Sequence, residues 1–110
     1  MKIAVTAPSD IALAELAAHL PEDIGEIIPA GVWGAGRSLL QYAVPRGIKV
    51  TELFVEYEEF GPMALLEHFM RAIGSADRVI IFRDGSLPDI DRYIEQCGLH
   101  RKPLTVVDME

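Results

Sequence analysis

Hydrophobic residues along the chain follow two patterns that alternate from one end to the other. Runs rich in β-branched residues predict five strands, at residues 2–6, 24–29, 48–55, 78–82 and 104–107. Between these runs, apolar residues recur three or four positions apart, which predicts a helix in each of the four intervals. The resulting order, β-α-β-α-β-α-β-α-β, is typical of parallel strands joined by right-handed crossovers.

Turn formers and helix breakers mark where the predicted helices begin and end. Ser9 or Asp10 is expected to cap the first helix, and Pro62 and Pro88 are expected to begin the third and fourth. Gly98 is expected to end the last one. The apolar stripes that should face the core are Leu13, Leu16, Ala17 and Leu20 in the first helix, Leu39, Leu40 and Ala43 in the second, Leu65, Leu66, Phe69, Met70 and Ile73 in the third, and Ile90, Tyr93, Ile94 and Cys97 in the fourth.

These elements predict an α/β fold in three layers, a doubly wound sheet of five parallel strands with helices on both faces. Two strand orders, 3-2-1-4-5 and 2-1-3-4-5, fit the pattern, and both place a ligand crevice outside the carboxyl ends of the strands. We favour 3-2-1-4-5. It leaves the polar third strand at an edge and puts the apolar run at 78–82 inside the sheet, where both faces are covered.

The composition narrows the class of protein. A chain of 110 residues and 12.1 kDa predicts one domain, residues 1–110. Its 17 acidic and 10 basic residues give a net charge of −7, so no nucleic-acid partner is expected, because binding a phosphate backbone needs a basic surface. No apolar run approaches the roughly 20 residues that span a bilayer, and no signal peptide is recognisable. We therefore expect a cytoplasmic protein without a membrane partner.

Cysteine usage limits the possible chemistry further. Cys97 is the single cysteine, which excludes an intramolecular disulfide and metal sites built on several thiolates. On the apolar stripe of the last helix it is expected to be a small hydrophobe. No metal or other cofactor is expected.

Under the predicted topology, three loops line the crevice, at residues 7–10, 30–37 and 83–88. In the second loop, Gly31 and Gly34 would let backbone N–H groups approach an anion at a helix N-terminus, and Arg37 would add positive charge in the first helical turn. The spacing matches neither a dinucleotide-binding fingerprint nor a P-loop, and a tight turn that needs glycine is an equally good interpretation. Trp33 would either stack on a base or pack in the core or in an interface.

Several acidic residues allow a second kind of chemistry. Asp84 and Asp89 follow the fourth strand, where paired carboxylates would do acid/base work or bind a cation, although Asp89 also suits an ordinary helix start. Glu67 and His68 are expected on a solvated helix face, and the acidic run at 56–59 in a solvated loop.

Residues 28–43, 46–50 and 75–82, with Asp84 and Gly85, resemble the small SLOG-type Rossmann-like proteins. That superfamily includes DNA-processing Smf-like proteins and the "Lonely guy" cytokinin-activating phosphoribohydrolases. The resemblance implies binding or processing of a nucleotide or a nucleotide-derived ligand.

The chain keeps part of each motif of that family. Gly31, Gly34 and Ala35 match the pattern after the second strand, whereas Asp89 and Ile90 replace the Gly-Thr turn after the fourth strand. Tyr93 stands where the phosphoribohydrolases carry a glutamate. A catalytic carboxylate of the family type is therefore missing.

Three hypotheses follow from these residues. The leading one is a SLOG-like domain that binds a nucleotide-related small molecule without strong catalysis, at a site formed by Gly31, Trp33, Gly34, Ala35, Arg37, Arg83, Asp84 and Gly85. The second is a nucleotide N-glycosidic hydrolase that uses Asp84 or Asp89. The third is a homo-oligomeric structural module whose site has decayed. A homodimer with Trp33, Phe60 or Leu87 in the contact is expected from the high apolar content.

Overall fold

A computed structural model describes residues 1–30, 36–85 and 90–109 of the chain. Its strands form one parallel sheet in the order β3-β2-β1-β4-β5. They are β1 (Lys2–Thr6), β2 (Glu26–Pro29), β3 (Lys49–Val50), β4 (Arg78–Arg83) and β5 (Leu104–Asp108). The predicted fold class and the favoured order 3-2-1-4-5 are confirmed, and the order 2-1-3-4-5 is wrong for this chain.

Helices cover both faces of the sheet. They are α1 (Leu13–His19), α2 (Gly36–Ala43), α3 (Tyr57–Phe60), α4 (Ala64–Gly74) and α5 (Ile90–Leu99), with 3-10 turns at Val44–Arg46 and Gly61–Met63. Residues of α1 and α2 belong to one buried cluster, and residues of α4 and α5 belong to another. The sheet therefore lies between two helical layers, each with its own core.

Strand β4 shows how the two cores share the sheet. Ile80 and Phe82 pack with α1 and α2, whereas Val79 and Ile81 pack with α4 and α5. All four are buried, as an apolar run without alternation predicts for a strand that is covered on both faces. The prediction of a covered interior strand is confirmed for residues 79–82, whereas Arg78, which begins β4, is exposed.

The start and the apolar face of the first helix differ from the prediction. Neither Ser9 nor Asp10 caps it: α1 begins at Leu13, its N-cap residue is Ala12, and no side chain bonds the cap. A turn in which the Ile11 N–H bonds the Pro8 carbonyl, at 3.2 Å, delays the helix. Because α1 is only seven residues long, Leu16 is its one buried residue. The other stripe positions that prove exposed are Leu13, Ala17 and, in α2, Leu40.

The third strand is shorter than the run at 48–55 predicts, because the chain leaves the sheet after Thr51 and then bonds a helix. The Thr51 N–H still bonds the Ile27 carbonyl of β2, at 2.9 Å. Beyond it, the carbonyls of Leu53 and Phe54 accept hydrogen bonds from side chains of α4. The run at 56–59 also differs from the predicted loop, since residues 57–60 form the short helix α3. Helix α4 then begins at Ala64, after a 3-10 turn that contains Pro62.

Helix α5 does not end at Gly98 as predicted. It continues to Leu99, and Arg101 adopts the left-handed conformation, with φ 54°. The Lys102 N–H bonds the Cys97 carbonyl at 2.9 Å, and the Arg101 N–H bonds the Gly98 carbonyl at 3.1 Å. This pair of bonds is a Schellman motif, in which the left-handed position favours glycine.

Arg101→Gly is therefore expected to raise the free energy of unfolding by about 0.5–1 kcal/mol, because glycine adopts a positive φ without the steric cost that a Cβ imposes. Urea denaturation followed by circular dichroism measures the change. The matched control is His100→Gly, at an adjacent exposed residue without a positive φ, which should lower stability. An equal effect of both substitutions would contradict the assignment of the motif.

Candidate functional site

The carboxyl ends of β1, β2 and β4 lie side by side at one edge of the sheet, because the three strands are neighbours and parallel. From β1 the chain proceeds outward through β2 to β3, and then returns to place β4 and β5 on the other side of β1. The connections therefore diverge between β1 and β4. In open α/β sheets, ligands bind outside the carboxyl ends of the strands at such a switch point.

Buried hydrogen bonds fix the start of two loops at this edge. The Thr6 hydroxyl donates to the Ala30 carbonyl at 2.7 Å, and the Ala30 N–H donates to the Val5 carbonyl at 2.9 Å. Thr6 and Ala30 are both fully buried. The Ser38 hydroxyl also reaches the Ser9 carbonyl, at 3.5 Å, which places the start of α2 beside the loop that follows β1. The loops after β1 and β2 thus leave the sheet together.

Arg37 is exposed in the first turn of α2, and that turn contains no acidic residue. The amino end of a helix carries partial positive charge on its unpaired N–H groups, so a cation at this position reinforces an anion-attracting region. The structure thus places Arg37 where the sequence predicts it. The loop residues assigned to the same site, Gly31, Trp33, Gly34 and Ala35, lie outside the described residues.

Arg83, at the end of β4, has an acidic partner that sequence reasoning missed. Its Nε lies 2.6 Å from Oδ1 of Asp108, and the register of β4 with β5 pairs the same two residues. The hydrogen bond from Arg83 holds the pKa of the Asp108 carboxyl below its usual value, and the same bond raises the pKa of Arg83. An anion at this edge would have to share Arg83 with Asp108.

Asp84 and Gly85 follow Arg83 and are exposed. Gly85 has φ 86°, a conformation that L side chains rarely adopt, so the chain turns sharply after β4. Asp89, the second carboxylate of the acid/base hypothesis, lies outside the described residues. Within the described ranges, no group of three His, Cys, Asp or Glu side chains is placed to hold a metal ion.

Helix α4 carries a polar cluster that the sequence prediction placed in solvent. His68 is only 2% exposed, and its Nε2–H donates to the Leu53 carbonyl at 2.8 Å. Arg71 donates through Nε to Glu67, at 2.6 Å, and through Nη2 to the Phe54 carbonyl. The prediction of a solvated face was wrong for both Glu67 and His68, because the segment that contains Leu53 and Phe54 lies against this part of the helix and leaves the Glu67 side chain only 16% exposed. In the sequence, Ala64 and Ala72 lie one helical turn before and after His68. Small residues at these positions indicate that another segment can pack closely against this face of the helix.

Burial of His68 makes stability depend on pH. Desolvation lowers the pKa of its imidazole from the usual 6.5; the Leu53 hydrogen bond opposes this and the charge of Arg71 adds to it. The folded state therefore keeps His68 neutral at a pH where the unfolded chain already binds a proton. The contribution of the neutral His68 to the free energy of unfolding is therefore fully present above pH 6.5, and it is lost as the pH falls below that value.

We expect the free energy of unfolding to fall more between about pH 7.5 and pH 5 in the wild type than in His68→Gln, which retains an amide N–H donor but does not titrate. Urea denaturation at each pH measures the difference. His100→Gln, at an exposed histidine, is the matched control and should follow the wild type. Parallel pH profiles for the wild type and His68→Gln would contradict the assignment.

An acidic surface follows Leu53 and Phe54, the two residues whose carbonyls bond α4. Glu56, Glu58 and Glu59 are exposed and, with Val55 and Tyr57, line a cavity of about 430 Å³. The glutamates are exposed, as predicted, although Glu58 and Glu59 belong to the short helix α3. Carboxylates in this arrangement oppose a phosphate, so this surface is a poor phosphate site.

Cys97 is fully buried, and burial raises the pKa of its thiol to about 11. The thiolate is the nucleophilic form, so this residue is inert at neutral pH, as expected of a small hydrophobe.

Comparison of the chain with protein-family models, with curated proteins and with solved structures gives no match. Across the described ranges, no helix has the length and apolar character needed to cross a membrane.

Proposed function

We propose that this protein binds a nucleotide or a nucleotide-derived small molecule, in the manner of a SLOG-type domain, with the phosphate at the amino end of α2. The observation that carries the proposal is the position of Arg37. It is exposed in an acid-free first helical turn, and the start of that helix lies beside the loop after β1 at the carboxyl edge of a parallel sheet. Fold and local charge thus favour the same place.

The charge distribution supports an anionic ligand at this place. The whole chain has a net charge of −7, which disfavours anions over most of its surface. At the start of α2, the helix N-terminus and Arg37 provide local positive charge. Gly31 and Gly34, which precede α2 in the sequence, suit a loop that brings backbone N–H groups close to a phosphate.

Other residues of the predicted site have secondary parts in this proposal. Trp33 would stack on the base, as aromatic side chains do with nucleobases. Arg83 would approach the ligand while it remains bonded to Asp108, since about a third of its side chain, 36%, is exposed. Asp84 is exposed at the same edge, where a carboxylate opposes a phosphate. We assign Asp84 no catalytic step.

Calorimetric titration tests the proposal. The ligands are AMP, GMP, CMP and UMP, each compared with its nucleoside, together with ribose 5-phosphate. We expect at least one nucleotide to bind and its nucleoside to bind about tenfold more weakly or worse, because charge-assisted contacts contribute roughly 1.5–3 kcal/mol. Equal binding of a nucleotide and its nucleoside would contradict a phosphate site at α2, and no binding of any ligand at millimolar concentration would contradict the function.

A further inference from the structure

The two edges of the sheet differ in their protection against further strand pairing. At one edge, β3 has only two residues, Lys49 and Val50, and Lys49 is exposed. A short strand and a lysine are two devices that prevent edge association. At the other edge, β5 has five residues, Leu104–Asp108, with neither lysine nor proline among them. Only β5 therefore offers a full-length edge to another strand.

Hydrogen bonds with β4 establish which backbone groups of β5 face outward. The Val79 N–H donates to the Pro103 carbonyl at 2.9 Å, and the Met109 N–H donates to the Arg83 carbonyl at 2.7 Å. Because orientation alternates along a strand, the odd-numbered residues of β5 face β4. The N–H and C=O groups of Leu104, Val106 and Asp108 consequently point away from the sheet. No strand in the described part of the chain pairs with that side.

The outer edge of β5 is complementary to itself in an antiparallel arrangement. With a two-fold axis at Val106, Val106 lies opposite the partner's Val106, and Leu104 lies opposite the partner's Asp108. All outward groups of the strand then pair, in about six hydrogen bonds across the axis. No register that moves the axis away from Val106 pairs the whole strand.

Side chains along β5 favour the same arrangement. Val106 and Val107 are half-buried in the single chain, as are the flanking Leu104 and Met109, so a second strand would cover apolar surface. The charged side chains near the two ends of the strand already have partners within the chain, since Lys102 bonds the Ala76 carbonyl and Asp108 bonds Arg83. Backbone pairing and apolar cover therefore carry the contact.

We propose that the outer edge of β5 pairs antiparallel with the same edge of a second copy of this chain, which extends the sheet across a two-fold dimer. This surface differs from the contact predicted around Trp33, Phe60 and Leu87. Phe60 is half-buried within its own chain, and the other two residues lie outside the described ranges. The dimer leaves the carboxyl edge, with Arg37, open to a ligand.

Sedimentation equilibrium between about 5 and 500 μM, at about 0.15 M salt, tests the association. The wild type is expected to form a species of twice the 12.1 kDa chain mass. Val106→Pro should remain monomeric, because the Val106 N–H points outward and proline removes only an intermolecular bond. Val106→Ala retains this N–H and is the matched control, which should still dimerise. A wild type that stays at 12.1 kDa throughout, or a folded Val106→Pro that dimerises as the wild type does, would overturn the proposal.

A disulfide test identifies the surface without relying on a disruptive variant. In a Cys97→Ala background, Val106→Cys places two thiols across the axis, where Cα atoms of a bonded antiparallel pair lie about 5.5 Å apart, within disulfide range. Val44→Cys is the control, because Val44 is 68% exposed and far from β5 in the chain. Under mild oxidation, Val106→Cys should form a covalent dimer at least about tenfold faster than Val44→Cys, since pairing raises the effective concentration of the thiols. Equal rates would overturn the proposed surface.

Discussion

Replacing Phe69 by alanine is expected to lower the free energy of unfolding by about 3–5 kcal/mol. Phe69 is fully buried in α4, and its ring stacks on Tyr93 of α5 with centroids 4.3 Å apart and planes 9° from parallel. The pair joins the two helices that cover one face of β4. Because small domains are stable by only about 5–15 kcal/mol, this single change would remove a large share of the total.

Phe54→Ala is the matched control, since the same substitution is made at a residue that is 87% exposed. It should change the free energy of unfolding by about 0.5 kcal/mol or less. The backbone carbonyl of Phe54, which bonds Arg71, is unaffected by the change. Urea denaturation of both variants measures the two values. Comparable losses would mean that the core between α4, α5 and the sheet is placed incorrectly.

The fold could be predicted because the features that determine the strand order are short runs of neighbouring residues. The apolar run at 78–82 has no alternation, and only an interior strand with both faces covered suits it. The polar content of the third predicted strand fits only an edge. Together with the regular alternation of strands and helices, these two runs select the strand order, and the structure confirms it.

The errors occur where long-range contacts override local pattern. The pattern of its own helix predicts a solvated His68, but the segment that contains Leu53 and Phe54 lies against the helix and supplies the Leu53 carbonyl. Arg83 and Asp108 are 25 positions apart, and only the register of β4 with β5 brings them together. Arg101 takes the left-handed position in place of Gly98 because α5 continues for one residue beyond the glycine. Neither the spacing of residues along the chain nor the composition predicts these contacts.

The location of the candidate site could be predicted from the sequence better than the contacts of its residues. Alternation of strands and helices brings the loops after β1, β2 and β4 to one edge, and the position of Arg37 follows from the start of α2. The ion pair between Arg83 and Asp108 could not be predicted in this way, because Asp108 belongs to a strand near the other end of the chain. This difference makes Arg37, and not Arg83, the residue to test first.

Arg37→Ala is expected to weaken the binding of a nucleotide about tenfold or more, because a hydrogen bond to a charged group contributes roughly 1.5–3 kcal/mol. The matched control is Arg78→Ala, which removes the same charge at an exposed residue that begins β4 at the amino edge of the sheet. It should bind the nucleotide as the wild type does. Calorimetric titration with the tightest nucleotide of the panel gives both affinities. Equal losses in the two variants would show a general effect of net charge and would contradict a contact at α2.

Asp84→Asn distinguishes the phosphate site from the carboxylate-centred enzyme. Asp84 is exposed at the same edge of the sheet as the proposed phosphate site beside Arg37. Removing the negative charge of Asp84 should therefore leave nucleotide affinity unchanged or increase it. The increase should shrink as salt is raised, because exposed charges interact through a screened field. In the alternative hypothesis, Asp84 is the reacting carboxylate of an N-glycosidic hydrolase, and the substitution would abolish release of free base from the nucleotide. Loss of binding or of base release in Asp84→Asn, with wild-type behaviour in Arg37→Ala, would move the site from α2 to the end of β4 and make hydrolysis the better assignment.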